Sequence, residues 1–405
     1  MSEIVLPEAQ VDRDAVAGAR IVLIVLDGLG GLPDPVTGLT ELETARTPNL
    51  DALAAGASLG MLLPVQAGIT PGSGPGHLSL FGYDPTRWMI GRGALSALGV
   101  GVDLEPGDVA ARLNLATFDA GGRVTDRRAG RPDDEEASRV VRRVVEALVR
   151  PDGVRITLVH EKEHRVVLLL RGEGLGADLG DTDPLEPGRL PLPVEARSPS
   201  SERTAEVVAD FLRQAGEILS DEPRANGFLA RGWAAYERFP TMEERFGLRS
   251  TVIARYPMYR GVARLVGMTV AGVPESDEAA LDLLERHWGG HDLYFLHFKD
   301  PDSRGHDGDF DGKVRAIEAV DALVPRVTAL DPDVVIVTGD HSTPTRLKEH
   351  SWHHVPTLLW SAFGRPTADR FGESTCRLGD LGHFHGTDLV PLALAHAGRL
   401  VKYGA

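Results

Sequence analysis

The sequence predicts an α/β fold in which a mostly parallel sheet, assembled from both ends of the chain, is interrupted by a second, inserted α/β domain. Three observations carry this expectation. Short apolar runs rich in β-branched or aromatic residues recur at 21–26, 293–298 and 334–338, and each leads into an acidic residue. Candidate helices separate the later runs at the spacing of strand–helix–strand units. The chain has 405 residues, 42% of them hydrophobic, which suffices for two domains or one large one and excludes a disordered chain.

In chain order, IVLIVL at 21–26 closes on Asp27-Gly28 and reads as a central parallel strand covered on both faces. The stretch GITPGSGPGHLSLFGYDP at 68–85 holds Ser73 and His77 among glycines, without the Lys-Ser or Lys-Thr of a P-loop. Glycine there reads as close approach of backbone to something Ser73 also touches. His77, one helical turn after Ser73, is expected to pack or to support rather than react. Residues 111–118, 154–159 and 165–170 read as strands, and 133–149 and 201–218 as helices, with Ser200 or Ser201 as an N-cap. Gly, Pro and Asp crowd 172–193, a long ordered loop. The inserted, substrate-binding domain is expected at 111–272 and the catalytic domain at 1–110 and 273–405, with hinges near 99–107 and 267–274. Helices follow at 274–288 and 312–329. LYFLHF runs into Lys299-Asp300-Pro301-Asp302, VVIVT into Gly339-Asp340-His341, and a fourth apolar run covers 357–360.

A formal net charge of -16 excludes an extended nucleic-acid surface while allowing a local basic pocket for an anionic metabolite. The single cysteine, Cys376, forms no intrachain disulfide, which fits a reducing compartment. No apolar run reaches about 18 residues and MSEIVLPEAQ lacks a signal pattern, so the expectation is a soluble cytoplasmic protein with no membrane partner. Lysine occurs only at 162, 299, 313, 348 and 402; heat and codon composition both explain such an arginine bias.

Ligands of open parallel sheets gather beyond the carboxyl ends of the strands. Asp27, Asp302 and the Asp340-His341 pair fall there, with His306 four residues after Asp302 and His350, His353 and His354 downstream of His341. Mixed carboxylate and imidazole donors suit Mn, Zn, Co or Fe. Each residue also has a plainer reading: Asp27 as a turn residue, His306 on the surface, Asp340 as a helix cap. Neighbouring side chains in an extended segment point to opposite faces, so at most one of His353 and His354 should face a site. Taken together, the strand ends and Ser73 point to a two-metal hydrolase or phosphotransferase with a serine nucleophile.

The segments VLDGLG, ARTPNLDALAAGA, PGSGPGHLSLFGYDP, GRGALSALGV, DRRAGR, PDSRGHDGD and GDHSTPTRLKEHS resemble, in order and over nearly the whole chain, the archaeal-type, cofactor-independent phosphoglycerate mutases of the alkaline phosphatase superfamily. The resemblance implies Ser73 as a metal-activated nucleophile that becomes a phosphoserine. It implies one divalent ion on Asp27, Ser73, Asp340 and His341 and another on Asp302, His306 and His350, manganese being expected and Zn, Co and Mg the alternatives. No bisphosphoglycerate is then required. Arg127, Arg128, Arg131, Arg231, Arg260, Arg264 and Lys299 become the candidates for holding a small phosphorylated metabolite, a task suited to guanidinium groups. With the metals and Ser73 expected in one domain and most of these arginines in the other, closure around the substrate is expected, as is a monomer or small homo-oligomer. Members commonly carry an acidic residue after the nucleophile where this chain has Gly74, and Asp-Pro where it has His353-His354. A homoserine kinase-like phosphotransferase, a phosphomonoesterase and a noncatalytic metal-stabilised protein are the competing readings.

Overall fold

Six consecutive apolar residues leave the strand Ile21–Leu26 no face to give to water, and every one of them is buried. The computed structural model describes residues 10–12, 18–88 and 91–403. Its strands are β1 (Ile21–Leu26), β2 (Ala57–Leu63), β3 (Val109–Phe118), β4 (Val124–Asp126), β5 (Val154–Lys162), β6 (Arg165–Gly172), β7 (Gly227–Ala235), β8 (Ser250–Ala254), β9 (Thr269–Val270), β10 (Leu293–Phe298), β11 (Val334–Thr338), β12 (Val355–Ser361) and β13 (Gly382–His385). An eight-stranded sheet runs β13-β2-β12-β11-β1-β10-β8-β9, and a five-stranded sheet runs β4-β3-β6-β5, with β7 also paired to β3. Among the described residues no helix is long and apolar enough to cross a membrane.

In the larger sheet β1 lies between β10 and β11 and is parallel to both, in the register Ile21↔Leu293 and Ile21↔Val334. The alternation of strands and helices stops after β11. β12 returns antiparallel beside it, with Val334 opposite Ser361. An antiparallel neighbour needs no crossover helix, so residues 339–354 stay at the carboxyl end of the sheet. The helix expected at 312–329 is two, Phe310–Asp321 and Val324–Thr328, the second opening with a proline in its first turn.

The chain divides into two compact units, Met1–Met89 with Phe239–Ala405, and Ile90–Arg238. These bounds correct the expected 111–272 at both ends. The helix Arg92–Gly99 belongs with the second unit, because Gly93 sits where an added Cβ would lie 2.4 Å from Ala110 O, against β3. Residues 239–272 belong with the first, because β8 is a parallel partner of β10. The expected hinges at 99–107 and 267–274 therefore fall inside the units.

In the second unit Val140 and Val144 of the helix Asp134–Ala147 and Val208 and Phe211 of the helix Glu202–Ile218 share one core with the alternating residues Val166, Leu168 and Leu170 of β6. Ser201 stands at the N-cap but makes no capping bond; its hydroxyl accepts instead from Asp178 N at 3.0 Å and anchors the long loop. Asp133 does cap, accepting from Glu136 N at 2.8 Å. Replacing it, D133A, should cost the second unit about 1 kcal/mol, read as a lower urea midpoint with unchanged slope.

Candidate metal centre and nucleophile

Three adjacent parallel strands deliver the acidic residues. Asp27 follows β1, Asp302 follows β10 within the helix Asp300–Asp307, and Asp340-His341 follows β11. Ser73 opens the helix Ser73–Leu80 with Gly72 as its N-cap. Gly76 in that helix has no room for a side chain: a Cβ would lie 2.4 Å from Asp340 O. Gly305 does the same for the helix after β10, where a Cβ would stand 2.4 Å from Thr343 O. The glycines beside Ser73 thus let its helix come against the segment that carries Asp340 and His341.

Four donors converge. Ser73 Oγ lies 3.1 Å from His341 Nε2. Asp340 Oδ2 and Asp27 Oδ1 lie 3.2 and 3.5 Å from the same nitrogen. Both oxygens are buried and have no hydrogen-bond partner. The tautomer of His341 follows from its other side. Thr343 Oγ1 gives its one proton to Asp302 Oδ1 at 2.7 Å, so it must accept from His341 Nδ1 at 3.0 Å, and Nε2 keeps its lone pair.

A second set gathers on Asp302. His350 Nδ1 donates to Pro71 O at 2.9 Å and His306 Nδ1 to Lys348 O at 3.0 Å, so each presents a bare Nε2. Both of these nitrogens stand 3.6 Å from Asp302 Oδ1. Ligand atoms of Asp27, Asp340 and His341, and likewise of Asp302, His341 and His350, fall within 4.8 Å of one another. His341 falls in both groupings, though its single free lone pair can serve one ion only, and its ring stacks on that of His350 at 3.6 Å between centroids. His306, with 43% of its side chain exposed, stands at the rim of the second. Lone pairs facing carboxylate oxygens repel unless a cation lies between them, and buried unpartnered carboxylate oxygens call for the same thing. The donors present fit two divalent ions of the borderline kind.

The charges around the site agree. Burial pushes the Asp27 carboxyl up, but the Lys299 ammonium at 3.1 Å and the hydrogen bond from His297 hold it well below the usual carboxylate range. Burial and Asp27 both raise Asp340, and His341 and His77 overcome them to bring it below its ordinary value. Burial drives His341 down, toward the neutral ligand form. For His77 burial favours the neutral ring, yet Asp340 and Asp27 together raise it. His77 Nδ1 donates to Ser73 O at 2.8 Å and lies 3.2 Å from Asp340 Oδ2, tying the nucleophile's turn to the ligand segment.

Other expected residues fall in different places. Lys299 Nζ bridges Asp27 Oδ2 and Asp302 Oδ2, at 3.1 and 2.5 Å. Arg260 is buried and donates to Ala254 O and Arg255 O at the end of β8, with Arg264 half-buried one turn further along its helix. In the second unit Arg127 pairs through two nitrogens with buried Asp183, both contacts at 2.7 Å, and Arg231 lies 3.6 Å from the same carboxylate. Arg128 and Arg131 are exposed. His353 bonds to Ser351 Oγ and His354 to His383, and neither joins a ligand set.

Sequence reasoning missed a supporting layer. His297 Nε2 donates to Asp27 Oδ2 at 3.1 Å while its ring stacks on Tyr259 at 3.6 Å. An imidazole inside the run LYFLHF was the only signal for it. Buried Lys313 donates to three backbone carbonyls behind the ligands. Glu373, which accepts from Gly31 N and Thr40 Oγ1, is pushed by burial up to about 7.

Two carboxylate–imidazole clusters and a serine stand together at the carboxyl edge of a parallel sheet, an arrangement that suits metal-dependent phosphoryl transfer. Residues 54–225 match the family model described as 2,3-bisphosphoglycerate-independent phosphoglycerate mutase. A Thermus thermophilus protein described as a probable 2,3-bisphosphoglycerate-independent phosphoglycerate mutase is 53% identical over 391 residues, 96% of each chain. A Deinococcus radiodurans protein with the same description is 50% identical over 395 residues, again 96% of each. The solved structure of a cofactor-independent phosphoglycerate mutase from Thermoplasma acidophilum superposes with a TM-score of 0.73 at 28% identity, covering 94% of this chain and all of that one. The chain belongs to the 2,3-bisphosphoglycerate-independent phosphoglycerate mutase family.

Two outcomes follow from this geometry. G76A forces a methyl group against Asp340 O and should displace Ser73 from His341 Nε2; turnover should drop about 100-fold in a folded protein, since a misplacement of about 1 Å costs that much. Glu373 predicts a pH effect. Its folded pKa of about 7 lies above the unfolded value of about 4.3, so the folded form binds the extra proton. Stability is fully present below the unfolded value and falls as pH rises toward 7, by on the order of 3 kcal/mol. E373Q cannot ionise, so its stability relative to wild type should rise by about that amount across this window in denaturant titrations at fixed metal.

Proposed function

We propose that the chain interconverts 3-phosphoglycerate and 2-phosphoglycerate through a phosphoserine on Ser73, without added bisphosphoglycerate. The observation that carries this reading is the convergence of Ser73 Oγ and two unpartnered carboxylate oxygens on His341 Nε2. The substrate is supported by the kinship with proteins described as phosphoglycerate mutases.

Asp27, Ser73, Asp340 and His341 would hold one divalent ion, and Asp302, His306 and His350 the other. Bound there, the ions supply Lewis-acid charge that lowers the pKa of the serine hydroxyl and offsets charge on the phosphoryl oxygens. Ser73 Oγ attacks phosphorus; the Oγ–P bond forms and the ester bond to the glycerate oxygen breaks, that oxygen taking up the proton Ser73 gave away. The glycerate stays bound and turns. Its other hydroxyl then attacks the phosphoserine, the Oγ–P bond breaks, and Ser73 recovers a proton. Lys299, held between Asp27 and Asp302, offers positive charge to the moving phosphoryl group. Within the second unit, Arg127 and Arg231 are both gathered on Asp183 and are planar donors of the kind that binds a carboxylate such as that of the glycerate. Retaining it is what separates a mutase from a phosphatase, in which water would accept the phosphoryl group.

Following both isomers and free phosphate in one assay tests the reading: isomerisation should far outpace phosphate release, and rapid release with little isomerisation would make the protein a phosphomonoesterase. Exhaustive chelation should abolish turnover and Mn²⁺ should restore it best. S73A should keep the fold and lose at least about 1000-fold in kcat.

A further inference from the structure

Lys313 lies in the first turn of the helix Phe310–Asp321, fully buried. An ammonium has three N–H donors, and here each meets a carbonyl: Gly28 O at 2.8 Å, Thr343 O at 2.9 Å and Gly30 O at 3.1 Å. These carbonyls belong to the two segments that carry the ligands, the turn just after Asp27 and the stretch just after His341. The segments also touch directly, since Thr343 N donates to Gly28 O at 3.2 Å and to Gly30 O at 3.1 Å. Lys313 thus fills the remaining acceptor capacity of a junction between them. No carboxylate lies within 4 Å of it among the described residues, so its direct partners are carbonyl dipoles, with Glu41, Glu373, Asp302 and Asp27 acting on its charge from further off. Burying an ammonium is costly, and a cation in the first turn opposes the helix dipole. An apolar side chain would fill the space more cheaply, but it would leave the carbonyls short of donors and the junction free to shift.

We propose that Lys313 is a positioning residue for the metal centre: its ammonium sets the distance between the Asp27 turn and the Asp340-His341 segment, so that their donors stand ready for a divalent ion before one binds. This rests on the metal-dependent reading above. Among the described residues Lys313 makes no hydrogen bond to a ligand side chain; its bonds reach the ligands through backbone, while its charge acts on Asp302 and Asp27 at longer range.

The test uses K313M and K313Q in the full chain, with Co²⁺ and Mn²⁺ as probes. K313M should weaken divalent-ion binding by about 10- to 100-fold, the usual effect of losing a support behind metal ligands, and should alter the visible spectrum of the Co²⁺-loaded protein. At saturating metal its kcat should fall while KM for phosphoglycerate holds. K313Q, which keeps two N–H donors, should recover part of the affinity. A folded K313M with wild-type affinity and an unchanged Co²⁺ spectrum would overturn the proposal. Should neither variant fold, hydrogen exchange on metal-stripped and metal-loaded wild type decides: amides at 28–30 and 341–343 should be equally protected in both, and protection that arises only on loading would overturn the proposal. Wild type that takes up no divalent ion would overturn the metal-dependent reading and this inference with it, whereas normal wild-type binding beside an unaffected variant removes the role of Lys313 alone.

Discussion

Three buried carboxylates at the ends of three adjacent strands impose the constraint on which the rest of the centre depends. Asp27, Asp302 and Asp340 are all at most 2% exposed, and like charges so placed cannot remain ionised without cations or donors around them. Lys299 bridges two of them, His297 donates to the first, and His77 stands against the third. Two oxygens still lack a partner, and both face the lone pair of His341. A site built in this way is short of positive charge at the very place where Ser73 stands, and divalent ions bound there would supply it.

The fold supplies this arrangement through backbone more than through side chains. Parallel pairing of β1 with β10 and β11 brings the carboxyl ends into line, and the antiparallel return into β12 keeps His350 at the same end as His341. Gly76 and Gly305 let two helices reach the Asp340–Thr343 backbone at distances no side chain allows. Main-chain carbonyls of Pro71 and Lys348 then fix which nitrogen each rim histidine offers.

Much of this was legible in the sequence, for physical reasons that can be named. An apolar run closing on an acidic residue marks a buried strand and its carboxyl-end residue together, so Asp27 and Asp340 stood out, and the glycines around Ser73 announced a close approach whose target, Asp340 O, only three dimensions reveal. His297 was hidden because a side chain within a strand shows no partner until the neighbouring strand is known. Lys313 was hidden because a lysine on an amphipathic helix ordinarily faces water. The unit boundaries were misplaced because Ser250–Ala254 is short and reads weakly as a strand, although its register with β10 puts it in the main sheet. Alternation in an extended segment allowed at most one of His353 and His354 to face the site; the pair lies just before β12, and partners at Ser351 and His383 take both.

If this charge arrangement makes Ser73 Oγ the atom that carries the phosphoryl group, as proposed, a phosphoserine should be trapped during turnover. The most direct measurement is rapid acid quenching of the manganese-loaded wild-type enzyme during turnover of phosphate-labelled 3-phosphoglycerate, followed by peptide mapping. Label should appear on Ser73 and on no other serine or histidine, and should pass to both isomers when unlabelled substrate is added. Label on His77 or any other residue, or isomerisation at full rate with no labelled protein at any quench time, would contradict it.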